Sequence, residues 1–182
     1  QGWISHAAFA RAKKMLERFS VFHQKSLSDN NRTVAGVEKS FEITVGRALI
    51  RGNVDRIEVD SDGKHFIIDF KTGKKEITGD DAKTNLQLAC YQLGVVLDGF
   101  EEKLKSTDIT GAQLVYLASK NKSYSTREQG ALVDVETTTA ILEEIAVGMG
   151  GATFTARKND MCKQCKVKPS CPLYLEGKAV HQ

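Results

Sequence analysis

The chain has 182 residues, 41% of them hydrophobic and 27% charged, with a formal net charge of +3. These values suit one ordinary globular domain and exclude disorder as the main state, because the apolar fraction is large enough to build a core. No apolar run approaches the ~20 residues of a membrane span, no charged–apolar–small leader opens the chain, and the mild positive charge permits nucleic-acid binding without requiring it.

The opening Gln1-Gly2-Trp3 lacks an initiator Met and reads as the start of a piece excised from a longer protein. Over 3–24, Ala8, Met15, Leu16, Phe19 and Phe22 recur at helical spacing among Lys and Arg, which predicts a helix with one packed face. Residues 26–32 (SLSDNNR) predict a polar loop. From 34 to 71 the period falls to two, predicting antiparallel strands at 37–45, 48–59 and 64–71. Residues 80–97 return to helical spacing, 112–118 and 131–135 predict two more strands, and 138–147 a helix. A break at Gly148, Gly150 and Gly151 leads into a Lys- and Cys-bearing tail. The expected fold is α+β: a mixed twisted sheet with an antiparallel three-strand core flanked by helices (1–156), then a small Cys-rich tail (157–182).

Turn chemistry sets the register of the three strands. Gly46-Arg47 suits a two-residue reversal with Gly first, and Ser61-Asp62-Gly63 a three-residue loop with Gly left-handed. Counting back from those turns places Glu38 opposite Asp55 and Asp55 opposite Asp69, with Lys71 on the same face two residues on. The same register puts Val37, Phe41, Ile43, Val45, Ile50, Val54, Phe66, Ile68 and Phe70 on the other face, and pairs Ile57 with Ile67 beside the acids.

Like charges directly opposite destabilise a sheet. A row of three carboxylates is relieved by protonation of one, or by a divalent cation that two or three hard oxygen ligands hold, as Mg²⁺ or Mn²⁺ prefers. The simpler alternative is a solvated face whose charges splay apart or pair with Lys71 and Arg56. The cation reading leads to metal-assisted phosphodiester hydrolysis, with Lys71 orienting water or stabilising developing charge. Gln87 and Tyr91, four apart on the following helix with Lys83 one turn earlier, face the same cleft and could hold phosphate oxygens or a base. Lys74 and Lys75 add a local basic edge.

Three sequence blocks carry a family resemblance: Gly52-Asn53-Val54-Asp55-Arg56-Ile57, Ile67-Ile68-Asp69-Phe70-Lys71-Thr72-Gly73, and Gln87-x-x-x-Tyr91. Together they resemble the RecB-like branch of the PD-(D/E)XK nucleases over about 3–172. The nearest likeness is to the nuclease domain ending the UvrD-like bacterial helicase–nucleases of the AddB and AdnB type. The resemblance implies a restriction-endonuclease-like fold, Asp55 and Asp69 as metal ligands for Mg²⁺ or Mn²⁺, and Lys71 as the catalytic lysine. It places Gln87 and Tyr91 near the DNA, and Glu38 matches the family's upstream acid. It also implies an exonuclease in recombinational DNA repair, acting in the cytoplasm. The partners would be DNA, helicase domains of the same longer chain, and a second helicase–nuclease subunit, with no membrane. The chain has no Walker motif, so ATP hydrolysis falls to other sequence.

Two details depart from that pattern. The family has a metal-binding His following a Gly by four residues; Gly2 and His6 match on paper, yet this helix resembles the later one that precedes the Glu strand. His23, His65 and His181 are expected at the surface. Cys162-x-x-Cys165-x5-Cys171-Pro172 resembles the last three ligands of a 4Fe-4S staple whose fourth ligand precedes the nuclease domain, so the cluster is expected to be incomplete or absent. Zinc with a borrowed fourth ligand is the alternative occupant, and Cys90 reads as a small core residue. Two other functions stay open: a non-catalytic DNA- or partner-docking module with a nuclease fold, and a metal-tail protein.

Overall fold

The computed structural model describes residues 3–29, 31–153 and 155–174. In chain order they form helix α1 (Trp3–Asp29), strands β1 (Thr33–Val45), β2 (Ala48–Val59) and β3 (His65–Lys71), and helices α2 (Gly79–Lys83) and α3 (Leu86–Val96). Strands β4 (Ile109–Tyr116) and β5 (Ser125–Gly130), helix α4 (Val135–Gly150) and two 3-10 turns, Asp160–Gln164 and Lys168–Ser170, follow. Contacts divide the chain into two units, Gln1–Glu143 and Glu144–Gln182. Among the described residues no helix is long and apolar enough to cross a membrane.

The first unit is an α+β layer structure around a five-stranded sheet of order β1-β2-β3-β4-β5. All neighbours are antiparallel except β3 and β4, which are parallel and joined by the crossover through α2 and α3. The β1–β2 reversal pairs Val45 with Ala48, with Gly46 at φ 54°. The β2–β3 loop closes through Asp60 N to Lys64 O (3.0 Å) with Gly63 at φ 80°. Both glycines adopt the left-handed region that a side chain would make costly.

The sheet has two buried faces. On one, Phe41, Ile43, Val45 and Val54 pack with Ile57, Ile67, Leu88 and Leu93 beneath α3. On the other, Phe66, Ile68, Val115 and Leu117 pack with Phe22 of α1, and Phe70 joins them at the margin. The nine apolar residues assigned to a single face are therefore split between two, and Val37 is exposed. The cause is a change of phase along β2, where Val54 and Ile57, three apart, enter the same core. Fully buried aliphatics such as Ile57 and Ile67 contribute ~1.5–3 kcal/mol each.

Four elements differ from their sequence patterns. Helix α1 continues through Asp29 instead of yielding to a loop at 26, because Ser26, four residues after Phe22, is buried on the same face. The 80–97 helix is two helices. Thr78 caps α2 in a capping box with Asp81, and Asn85 Oδ1 caps α3 by accepting from Leu88 N. Gln129 Nε2 donates to the carbonyls of Ala82, Lys83 and Asn85 at the break, each at 3.1 Å. The last strand is Ser125–Gly130, not 131–135, and Val133 lies in a loop, 91% exposed. The strand's key positions are polar, since Arg127 Nε donates to Ile77 O (2.8 Å) while Gln129 bridges to Gln92, so no apolar alternation marks it.

Candidate active site

Strand β2 pairs with β3 from Val59 and His65 up to Arg56 and Ile68, and the ladder stops there. At the next step Asp55 Oδ2 accepts a hydrogen bond from the backbone N of Phe70 at 2.7 Å. The expected pairing of Asp55 with Asp69 is thus replaced by a fork. A side chain satisfies the N–H that the missing rung leaves open, and two carboxylates avoid facing each other squarely. Beyond the fork β3 continues along β4 to the pair Lys71 and Tyr116, while β2 continues along β1.

On β3, Asp69 and Lys71 share the face that carries Ile67, and α3 brings Gln87 and Tyr91 onto them. Gln87 Nε2 donates to Asp69 Oδ1 (3.1 Å) and to the Tyr91 hydroxyl oxygen (2.8 Å). The Tyr91 hydroxyl donates to Asp69 Oδ1 (3.2 Å). Lys71 Nζ donates to Gln87 Oε1 (2.9 Å) and lies 2.7 Å from Asp69 Oδ2. That last contact is an ion pair out of line for a hydrogen bond, so Asp69 Oδ2 is buried without an aligned donor. Tyr91 is set by its own ring, which meets Phe41 edge-on with centroids 5.9 Å apart.

Burial pushes the Asp69 carboxyl above the ordinary carboxylate range. The Lys71 ammonium, 2.7 Å away, pulls it back down, and the nearby charge of Asp55 adds to the rise. Burial likewise pushes the Tyr91 phenol up to about 12, so it stays a donor at neutral pH. The Asp69 side chain is 6% exposed and Lys71 31%, so an acid inside meets an ammonium that reaches solvent.

A divalent cation is the group implied for this cleft, and the donor chemistry fits it. Asp69 offers a buried oxygen without an aligned donor, and Asp55 offers a second carboxylate close enough to raise the Asp69 pKa. Hard cations such as Mg²⁺ take a pair of carboxylates and keep several waters. Among the described residues no group of three or more His, Cys, Asp or Glu is gathered to hold a metal ion. Glu38, flanked by the pairs Val37–Arg56 and Lys39–Val54, sits at the position facing Asp55. It is exposed, adopts φ 49°, and makes no hydrogen bond or ion pair to the other acids.

The histidines do not behave alike. His6 is exposed in the first turns of α1, and His181 lies outside the described residues. His65, expected at the surface, is 1% exposed at the start of β3, where Phe66 and Ile68 begin the buried run. His23 Nδ1 meets Arg56 Nη1 at 2.8 Å, part of a buried cluster that polarity alone did not mark. There Arg56 Nη2 lies 2.5 Å from Glu58 Oε1, and Ser26 Oγ donates to the same oxygen at 2.5 Å. This cluster fastens α1 to β2.

In the second unit, Cys162, Cys165 and Cys171 are free thiols, Cys162 within the first 3-10 turn and Cys165 and Cys171 capping the C-terminal ends of the first and second, with Asn159 N donating to Cys162 Sγ (3.3 Å). Cys90 is a half-buried thiol of α3 whose deprotonation burial disfavours. A 4Fe-4S cluster takes four ligands and the tail supplies three thiols, so the tail by itself leaves such a group one ligand short.

A sequence profile described as the PD-(D/E)XK nuclease superfamily matches residues 1–172. Curated proteins return no match. Solved structures do match, among them one titled "Crystal structure of SSO0001" at 21% identity and TM-score 0.42, covering 88% of this chain and 69% of that one. That likeness is too distant to bear on function.

Proposed function

The chain belongs to the PD-(D/E)XK nuclease superfamily, and from that premise we propose that it is a divalent-metal-dependent deoxyribonuclease domain in which Asp55 and Asp69 hold the ion and Lys71 serves the reaction. The observation that carries the proposal is Asp69 Oδ2, buried without an aligned donor, 2.7 Å from the Lys71 ammonium and within the field of the Asp55 carboxylate. A bound Mg²⁺ or Mn²⁺ supplies an activated water and neutralises charge at the phosphorus.

The side chains supply the rest. Lys71, part exposed, presents its ammonium to a phosphate in the cleft, where it orients water or stabilises charge on the non-bridging oxygens. Gln87 fixes the Lys71 amine through Oε1 and the Asp69 carboxylate through Nε2, and so sets the distance between acid and base. Tyr91 holds the second lone pair direction of Asp69 Oδ1 and closes the inner wall. We assign Glu38 to the same reaction on its register position opposite Asp55.

The three sequence blocks support a finer assignment within this reading: a RecB-type exonuclease domain of a helicase–nuclease in recombinational DNA repair, acting in the cytoplasm beside helicase domains and a second subunit. Asp69→Ala and Lys71→Ala are each expected to lower DNA cleavage by on the order of 10²–10⁴-fold with the far-UV spectrum unchanged. Calorimetry is expected to register Mn²⁺ binding that Asp69→Ala loses. Unchanged rates in either variant would overturn the assignment of these residues, and a wild-type protein that cleaves no DNA with Mg²⁺ or Mn²⁺ would leave a docking module.

A further inference from the structure

On the α1 side of the sheet, past the C-terminal ends of β3 and β4, lies a cavity of about 500 Å³. Its walls carry Arg11, Lys14 and Arg18 of α1 and Lys74 of the segment after β3, over a floor of Met15 and Leu117. No carboxylate among the described residues lines it.

The four cations differ in what they have left to give. Arg18 is buried with both terminal nitrogens engaged, Nη1 donating to the carbonyls of Leu117 (2.7 Å) and Ser119 (2.9 Å) and Nη2 to that of Asn121. That clamp fixes one wall. Arg11 Nη2 donates to Thr72 O (2.7 Å) and otherwise faces solvent. Lys14 and Lys74 are exposed and make no hydrogen bond or ion pair among the described residues. Two unpaired ammonium groups and a half-used guanidinium around an apolar floor suit a polyanion with apolar faces. Phosphates meet the cations, and a base or sugar lies on Met15 and Leu117.

The cavity adjoins the end of the strand that carries Lys71. Leu117 N, on its floor, donates to Lys71 O at 2.9 Å. Lys74 is three positions beyond Lys71, at most ~10 Å of chain. Asp69 and Lys71 face α3 and the cavity faces α1, so the route between them crosses Thr72 and Gly73. Both are exposed, and a Cβ at Gly73 would meet nothing within 4 Å. A strand can therefore pass over the end of β3.

We propose that this groove binds the DNA strand beside the phosphate being cut, with Lys14 and Lys74 as phosphate-binding residues and Arg11 as their neighbour. The proposal rests on the nuclease reading for its strand direction. The test is fluorescence anisotropy of a labelled single-stranded DNA oligonucleotide, in EDTA, across ~50–200 mM salt. Lys14→Ala/Lys74→Ala is expected to weaken binding about tenfold near physiological salt and to reduce the log–log salt slope by about 1.4, at ~0.7 per phosphate contact on a single strand. Lys64→Ala/Lys105→Ala, near the opposite ends of β3 and β4, is expected to match wild type. Wild-type affinity and slope in Lys14→Ala/Lys74→Ala would overturn the groove, and a loss of cleavage in Asp69→Ala beside that result would leave the nuclease reading standing. If instead the groove variant loses binding while the wild type cleaves no DNA with Mg²⁺ or Mn²⁺, the nuclease reading falls and the groove remains a nucleic-acid surface.

Discussion

Asp55 hydrogen-bonds the backbone of Phe70 in place of a β-ladder rung, so one side chain has a structural duty and a proposed metal-binding duty at once. The two separate by substitution. Asp55→Asn keeps an oxygen acceptor for the Phe70 N–H and removes the charge, so it is expected to abolish cleavage with little loss of stability. Asp55→Ala leaves that N–H without its acceptor and is expected to cost an additional ~1–3 kcal/mol in urea denaturation.

The Tyr91 hydroxyl and ring are likewise separable. Tyr91→Phe retains the edge-on contact with Phe41 and loses the donor to Asp69 Oδ1. Steady-state kinetics should show kcat down about tenfold, ~1.4 kcal/mol in the barrier, with KM little changed. Tyr91→Ala also removes the ring from the core and is expected to destabilise by ~3–5 kcal/mol in thermal melts.

His65 predicts a pH effect unconnected with catalysis. Burial lowers its pKa, against the opposing pull of the Asp108 backbone and the charges of Asp60 and Asp108, and its Nδ1 has no hydrogen-bond partner. Below ~6.5 the unfolded chain binds a proton that the folded His65 refuses until a lower pH. Stability therefore falls as pH drops through that window and levels off below the folded pKa, while above ~6.5 this residue adds no slope. Urea midpoints measured across the window should show this slope in wild type and its loss in His65→Gln.

The buried Arg56–Glu58 pair predicts an asymmetry between single and double substitutions. Glu58→Ala strands a guanidinium that is 3% exposed, at an expected cost of ~3–5 kcal/mol. Arg56→Met/Glu58→Leu replaces both charges with apolar volume and is expected to recover most of that loss, measured by the same denaturation.

The two reversals were readable because Gly46 and the Gly63 loop each leave the flanking strands one short way to turn. Asp69, Lys71, Gln87 and Tyr91 were readable because β-alternation and helical spacing are local rules, and each pair obeys its own. The fork was not readable: it arises where two strands part company, and alternation carries no sign of a missing rung. For the same reason the apolar residues beyond Asp55 were put on one face when they occupy two. Arg56 and Glu58 were hidden because their burial depends on a distant helix, through His23 and Ser26, and polar residues at strand positions look solvated until that helix is in place. Strand β5 was missed because its contacts are made by Arg127 and Gln129, which carry no hydrophobic pattern.

Gln92 lies one residue beyond Tyr91 and takes no part in the chemistry. Its amide nitrogen donates to Gln129 Oε1 (2.9 Å) and Gly130 O (3.1 Å), and its oxygen accepts from Leu132 N (2.8 Å). These bonds fix the rotation of α3 about its own axis, because successive residues on that helix stand about 100° apart. Any substitution that loosens this anchor turns the Tyr91 hydroxyl and the Gln87 amide together, away from Asp69. The aim of the cleft is therefore set from the far side of its own helix, by an amide that stands outside the cleft.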